Sequence, residues 1–180
     1  MKNILQLPIN DHFYLRQTIL EDAEETFALV DKNRNYLRKW MPWVDRVQSA
    51  EDCRKNIESQ QQDPNASPEF CLVDHERIVG RLGFHLIDHA NRSTSIGYWL
   101  DENHQGNGLM TMAVKAATEY AFDSLHIHRL VIRAGVKNKG SRAIAERLGY
   151  TYEGTARDAE WIYDHFIDLA IYAKLASEHA

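Results

Sequence analysis

Ser95-Ile96-Gly97-Tyr98-Trp99-Leu100 and, after Asp101 to His104, Gln105-Gly106-Asn107-Gly108-Leu109-Met110-Thr111 are the stretch on which the fold turns. The first segment reads as a strand, and the second is a glycine-rich turn that opens an amphipathic helix. Strand, glycine turn, helix is a geometry that aims backbone N–H groups and the positive end of a helix dipole at an anion. Gly106 and Gly108 suit such a loop, because wrapping an anion calls for positive φ and close backbone approach. By itself the pair serves equally well as a tight turn that merely needs glycine.

Upstream of this stretch the hydrophobic period is two from Glu69 onward. Phe70 to Val73, Ile78 to Ile87 and Ser93 to Leu100 are predicted as successive strands, separated by residues 74–77 and 88–92. Downstream, the predicted helix carries Leu109, Met112, Ala113, Ala116, Ala117 and Tyr120 on one face. Leu130 to Ala134 reads as a buried strand. Asn138 is placed to cap a helix running through Leu148, and Gly149 to stop it. Tyr150 to Gly154 and His165 to Lys174 read as two final strands. Earlier in the chain, Phe13 to Gln17 is a short strand, Glu21 to Lys32 a helix with Ala23, Phe27, Ala28 and Val30 at helical spacing, and Glu51 to Gln62 a polar helix. Residues 63–68 are the clearest loop. The pattern predicts a mixed α+β fold: early helices, an antiparallel run, then a strand–helix–strand–helix passage whose crossover puts a parallel pair at the sheet centre.

At 180 residues the chain suits one domain, 1–180, with a sizeable core. Hydrophobic residues make up 44% and charged residues 26%, the balance of an ordinary globular protein. A formal charge of −5 gives no general attraction to nucleic acid or to an anionic membrane, leaving a local basic patch of Lys137, Lys139, Arg142 and Arg147. Cys53 and Cys71 make neither a CxxC pattern nor a disulfide framework, which points to a reducing, cytoplasmic setting. Met1 to Gln6 lacks the apolar stretch of a signal peptide, and no apolar run approaches transmembrane length. Gly135 to Ser141 has the spacing of a nucleotide-binding P-loop without its lysine, and His126-Ile127-His128 lacks further spaced ligands, so no metal centre is expected.

Taken in order, these motifs resemble the GNAT superfamily of acetyl-CoA-dependent N-acetyltransferases. The family hallmark is Gln or Arg, two residues, Gly, one residue, then Gly or Ala; here Gln105 and Gly108 fit and Met110 departs. A second family feature, an Asn, a small residue three on, and Gly followed by an aromatic at the helix end, is met by Asn138, Ser141 and Gly149-Tyr150. More narrowly the chain is similar to the ribosomal-protein serine/alanine N-terminal acetyltransferases. That similarity runs from Leu15-Arg16 through Leu37 to Trp43, Ile96 to Leu100, Asn138 to Ala143 and Gly154 to Arg157, as far as Asp168-Leu169-Ala170-Ile171-Tyr172. The resemblance implies a central, mostly antiparallel twisted sheet of about seven strands, with a parallel splayed pair and flanking helices. It implies acetyl-CoA as cosubstrate, no metal, and a homodimer, although the sequence does not fix oligomeric state. The implied acceptor is the N-terminal amine of a ribosomal protein, acetylated directly in a ternary complex, since no cysteine sits in the matched motifs.

By the same resemblance, the pyrophosphate of coenzyme A lies on Gln105, Gly106, Asn107, Gly108, Leu109, Met110 and Thr111. Its pantetheine arm runs beside Trp99 and Leu100, one of whose N–H groups serves as oxyanion donor, with Asn138 and Ser141 nearby. Tyr98 and Trp99 equally suit plain sheet packing. The tyrosine that many members place seven residues after the Asn is Ala145 here, so the thiolate falls to Ser141 as the implied proton donor. A serine hydroxyl is a weak acid, better suited to relay or hydrogen-bond than to donate outright, and Ser141 also suits the helix start. Glu160, in Arg157-Asp158-Ala159-Glu160-Trp161, is the implied general base, or else a solvated loop charge. His85, expected on one strand face with Gly83 and Ile87, is the reserve base, or a structural histidine. Trp40 and Trp43, in Trp40-Met41-Pro42-Trp43, are candidates for the acceptor wall, for core packing or for a dimer contact. The roles of Asp158, Asp164 and Asp168 are not legible. Two other functions fit the same residues: acetylation of a small-molecule amine (polyamine, antibiotic or amino-sugar), and a non-catalytic acyl-CoA-binding regulatory domain.

Overall fold

The computed structural model describes residues 4–63 and 65–179. Met1 to Asn3 of the N-terminal segment and Pro64 of the expected 63–68 loop lie outside the described residues. The strands are β1 (Gln6–Pro8), β2 (Phe13–Gln17), β3 (Glu69–Asp74), β4 (Arg77–Phe84), β5 (Ser93–Leu100), β6 (Arg129–Gly135), β7 (Thr151–Ile162) and β8 (His165–Leu175). The helices are α1 (Ala23–Lys32), α2 (Arg34–Leu37), α3 (Ala50–Gln62), α4 (Leu109–Asp123) and α5 (Lys139–Arg147). All eight strands join one sheet in the order β1-β2-β3-β4-β5-β6-β8-β7, antiparallel throughout but for the central parallel pair β5–β6. This is the expected α+β architecture with one more strand: β1 is three residues long, too short to carry a period.

Three sequence expectations need correction. The fourth strand ends at Phe84 rather than Ile87, because the His85 carbonyl accepts side-chain bonds from Ser67 Oγ (2.6 Å) and Thr94 Oγ1 (2.8 Å) where the chain leaves the ladder. The strand expected to stop at Gly154 runs on to Ile162, through a bulge whose polar residues break the alternation. On α4, Met112 is 38% exposed, and the core stripe runs through Met110, Val114 and Thr118 beside Leu109, Ala113 and Ala117. Three fully buried alanines, Ala113, Ala117 and Ala121, let this helix lie close on the sheet.

Successive residues of β5 serve opposite layers. Ile96 and Leu100 belong to the main core with α4, α5 and the β6 residues Leu130 and Ile132. Trp99 instead packs with Val30, Leu37 and Val44 from the α1–α2 side.

The central pair is what positions the site. β5 and β6 pair only at Ser93↔Arg129, Thr94↔Leu130 and Ser95↔Val131. Beyond Ser95 each strand keeps only its outer neighbour: β5 stays with β4 as far as Gly80↔Leu100, and β6 with β8 as far as Gly135↔Leu169. The sheet therefore opens as a V, and the inner backbone edges of residues 96–100 and 132–135 lack their sheet partner. Backbone N–H and C=O groups left this way require another partner, water or ligand.

Candidate active site

The glycine turn sits at the mouth of the V. Gly106 has φ +83° and Gly108 φ +73°, and Gly108 is the N-cap of α4. The first turn of α4 carries no acidic side chain, so its free N–H groups and dipole face outward uncompensated. The base of the loop is anchored by a group the sequence reading missed. Asp101 is 2% exposed, and its Oδ2 accepts from Lys32 Nζ at 2.9 Å and lies 3.0 Å from His104 Nδ1. The Asp101 N–H donates to the Val79 carbonyl (2.8 Å), and the Glu102 N–H to Asn33 Oδ1 (3.0 Å). Burial alone would raise the Asp101 carboxyl, but the Lys32 ammonium and the His104 ring at Oδ2, with the Asn33 amide nearby, outweigh it and hold the group below its ordinary value.

On the other side of the V, Asn138 Oδ1 accepts from the Ser141 N–H at 3.2 Å, the cap predicted from sequence. Its side chain is thereby committed to starting α5, which fixes Ser141 in the first turn. The Ser141 hydroxyl lies 3.0 Å from the Tyr98 hydroxyl, and the Tyr98 hydroxyl also reaches the Ser141 carbonyl at 3.3 Å. Burial pushes the Tyr98 phenol up to about 12, against the opposing effect of the Ser141 hydrogen bond. Tyr98 is therefore a neutral, polar strut from β5 to α5, beyond its packing role. Ala145 is fully buried in the main core.

Glu160 is a strand residue, not a loop charge. Ala156 pairs with Leu169 and Glu160 with Ile167, so Arg157, Asp158 and Ala159 stand opposite Asp168 alone. This bulge re-aims the strand, as bulges do, and Asp158 within it has φ +47°. Burial raises the carboxyl of the half-buried Glu160, with Arg133 opposing the rise.

The tryptophan pair divides. Trp40 lies against β6: a Cβ added at Gly135 would sit 3.4 Å from its ring. Trp43 packs on Trp99, with ring centroids 6.2 Å apart and planes tilted by 51°, as part of the Val30–Leu37–Val44 cluster. The segment is held in place by the β7–β8 turn, where Tyr163 donates to the Met41 carbonyl at 2.7 Å. The Arg38 guanidinium lies 3.8 Å from the centroid of the same Tyr163 ring. His85 is exposed, with Nδ1 2.8 Å from Ser95 Oγ and its ring over Gly97. Beside it, Arg81 and Glu69 form an ion pair on the cavity wall that the sequence did not disclose.

A cavity of about 1400 Å³ occupies the V and joins these parts. Trp99, Leu100, Asn138 and Ser141 line it, as do Gln105, Gly106, Gly108, Leu109, Met110 and Thr111 of the turn. Trp40, Trp43, His85 and Glu160 border the same space. Asn107, expected among the cofactor contacts, is exposed and not part of the lining. Of the basic patch, Lys139 and Arg147 reach the rim, while Arg142 is engaged by the Tyr172 hydroxyl (3.0 Å) and the Val136 carbonyl (3.1 Å). Among the described residues no group of three or more His, Cys, Asp or Glu is placed to hold a metal, and no helix is long and apolar enough to cross a membrane.

Two strand edges parted over one cavity, with a glycine turn and the free N–H groups of a helix start at one end and a carboxylate and a hydroxyl on its walls, are a framework suited to acyl transfer. Residues 12–151 match the family model described as the acetyltransferase (GNAT) domain, and the chain belongs to that family of N-acetyltransferases. It is 29% identical over 171 residues to the ribosomal-protein-serine acetyltransferase of Escherichia coli strain K12, covering 94% of this chain and 96% of that one. Among solved structures it is similar to RimL, a ribosomal alpha-N-protein acetyltransferase in complex with coenzyme A (30% identity, TM-score 0.90, 97% of this chain and 99% of that one). It is also similar to MccE, a microcin self-immunity acetyltransferase in complex with acetyl-CoA and AMP (35% identity, TM-score 0.87, 93% of this chain and 94% of that one).

Proposed function

We propose that this acetyltransferase moves the acetyl group of acetyl-CoA onto the N-terminal α-amino group of a ribosomal protein, by direct attack within a ternary complex. The observation that carries the reading is that Glu160 and Ser141, held by a strand bulge and by a capped helix start, line one cavity beside the parted strands. The pyrophosphate rests on the N–H groups of the turn before α4, and Lys139 and Arg147 at the rim meet the remaining phosphate charge. The amide-rich pantetheine arm pairs with the free edge of β5 as an added strand. An N–H at Trp99 or Leu100 then faces the oxygen of the tetrahedral intermediate.

Glu160 takes the amine proton, and its carboxyl, raised by burial, is a stronger proton acceptor than an ordinary glutamate. An α-amino group titrates at about 7.7–8.0 and a lysine side chain at about 10.4, so deprotonation at pH 7 costs about 1 kcal/mol for the first and nearly 5 for the second. A single carboxylate matches the first task better. Ser141 serves the departing sulfur, and Trp40 with the ion pair Arg81–Glu69 borders the acceptor's path. The similarity to enzymes named for ribosomal proteins supports this acceptor. The similarity to an acetyltransferase solved with AMP supports a second reading, a small-molecule amine acceptor.

The reading includes a cytoplasmic homodimer. Trp161 and Phe166, about half exposed and in edge-to-face contact at 4.8 Å on the β7–β8 hairpin, are apolar surface that such a contact would cover. Sedimentation at several concentrations tests it.

The acceptor is tested by coenzyme A release with N-terminal peptides of ribosomal proteins, polyamines and amino-sugars side by side, and by mass spectrometry of ribosomal proteins from a deletion strain. Acetylation of a ribosomal N-terminus that disappears with the gene is the expected result. Turnover confined to small amines, with unchanged ribosomal N-termini, replaces this acceptor by the second reading. No thiol release with any amine leaves a non-catalytic acyl-CoA-binding domain.

A further inference from the structure

Tyr98 lies three residues beyond the last β5–β6 pair, on the strand face that shares the main core with α4 and α5. Its hydroxyl is 3.0 Å from Ser141 Oγ, a contact between residues 43 positions apart that ties one arm of the V to the helix beyond the other. The Ser141 N–H is already committed to Asn138 Oδ1, so the backbone beneath this hydroxyl is fixed. Both residues line the cavity. The Tyr98 hydrogen has two acceptors in reach, Ser141 Oγ at 3.0 Å and the Ser141 carbonyl at 3.3 Å. The carbonyl already accepts an N–H of α5, so Oγ is the nearer and freer acceptor, and the direction of the bond between the two hydroxyls decides what Ser141 can do. If Ser141 donated to Tyr98, its single hydrogen would be spent. A phenol is a stronger acid than an aliphatic alcohol and so the better donor of the two.

We infer that Tyr98 is a positioning residue for the leaving thiolate: it donates its hydrogen to Ser141 Oγ, which leaves the Ser141 hydrogen free to point into the V at the sulfur. This rests on the acetyl-transfer reading above. As the amine nitrogen bonds to the acetyl carbon, the carbon–sulfur bond breaks and its electron pair stays on sulfur. The amine proton passes to Glu160 and from there to solvent. The sulfur, held as a thiolate by the Ser141 hydrogen bond, takes its proton from solvent as coenzyme A leaves. No proton leaves Tyr98; with its phenol pushed up to about 12 by burial, it stays a donor across the working pH range. The chain of two hydrogen bonds polarises the serine, and cooperative strengthening makes Ser141 a better donor to a negative sulfur than it would be alone.

The test uses a readout that needs no acceptor amine. The thiol of coenzyme A bound to the wild-type protein is titrated by its thiolate absorbance, alongside Tyr98→Phe, Ser141→Ala and the double variant. A hydrogen bond to a charged group is lost in Ser141→Ala, so the bound thiol should titrate about one unit higher than in wild type, and about half a unit higher in Tyr98→Phe. The double variant should match Ser141→Ala alone, because Tyr98 acts only through the serine. Coenzyme A affinity should change less than threefold in Tyr98→Phe, which keeps the ring and its packing. Turnover measured in the same four proteins should repeat the pattern, with kcat reduced and KM for acetyl-CoA held. A bound thiol that titrates alike in wild type and Tyr98→Phe, or effects that add in the double variant, overturns the inference while leaving acetyl transfer intact. Absent turnover in wild type, with the thiol shifts present, counts against the function and not against the inference.

Discussion

Asp168 on β8 holds the bulge of β7 through Asp158: its Oδ1 accepts from the Asp158 backbone N–H at 2.8 Å. The Asp168 carbonyl also accepts from the Val136 N–H at 3.0 Å, just past the end of β6. One residue thus ties the wall of the V to the bulge that aims Glu160, two positions beyond Asp158. A non-glycine residue at φ +47° costs about 1–2 kcal/mol, and the Asp168 carboxylate offsets much of it. Asp168→Ala should let the bulge relax and swing Glu160 away from the cavity. The expected outcome is a fall in kcat of about tenfold with KM for acetyl-CoA unchanged, and a stability loss of about 1 kcal/mol. Asp168→Asn, which keeps an oxygen acceptor, should recover most of the rate. Steady-state kinetics beside a denaturant melt separate the two effects; equal kinetics in Ala and Asn variants would remove the positioning role.

In the proposed mechanism Glu160 must be ionised to accept a proton, so the rate should fall as pH drops through its carboxyl value. Burial raises that value above the ordinary glutamate figure of about 4.3, which moves the acidic limb of kcat/KM toward neutrality. Glu160→Gln should lower kcat about a hundredfold, within the usual range for a general base, and abolish that limb. Arg133→Met removes the opposing cation, so the limb should move to still higher pH. A limb that survives in Glu160→Gln would transfer the role to another group, with His85 next in reach of the cavity.

Much of this site is legible in the sequence, and what is not has a physical cause. The turn at residues 105–111, the cap Asn138 and the stop Gly149 are local devices, in which a residue type answers a backbone need within a few positions, and they stand as read. What the sequence hid lies in pairings between distant residues. Tyr98 and Ser141 are 43 positions apart, and Lys32 and Asp101 are 69 apart; nothing in either neighbourhood signals the other. The course of β7 was hidden for another reason. Its bulge substitutes Arg157-Asp158-Ala159 for an alternating pattern, and only the β8 register reveals that the strand continues. Met112, which the period places on the buried stripe, lies off it, because apolar residues surround so much of α4 that periodicity alone does not choose the buried face.

Gly108 gives a direct measure of what the turn contributes. An added Cβ would meet nothing within 4 Å, so alanine there introduces backbone strain at φ +73° without a clash. The free loop can shed that strain, about 1 kcal/mol, by leaving φ +73°, and binding must restore it, so the variant should bind coenzyme A about fivefold more weakly by calorimetry. Gly106→Ala, at φ +83° and equally open, should do the same; because the two residues shape one loop, the double variant should fall short of the loss of about twenty-five-fold that independent effects would give. Unchanged affinity in both would dissociate the turn from the cofactor.

Trp40 and Trp43 border the same cavity yet should answer to different assays. Trp43 packs on Trp99 and the Val30–Leu37–Val44 cluster, so Trp43→Ala opens a hole in that small core. Large aromatic truncations in cores cost about 3–5 kcal/mol; with the ring only partly buried, about 2–3 kcal/mol is expected here, read as a lower melting temperature. Trp40 touches β6 at Gly135 and stands outside that cluster. Its truncation should leave the melt within about 1 kcal/mol of wild type and raise KM for the acceptor about tenfold, with KM for acetyl-CoA held. If Trp40→Ala instead lowers stability as much as Trp43→Ala and spares the acceptor KM, the segment is core on both sides. The acceptor would then be gripped from the opposite wall, where Arg81, Glu69 and His85 stand.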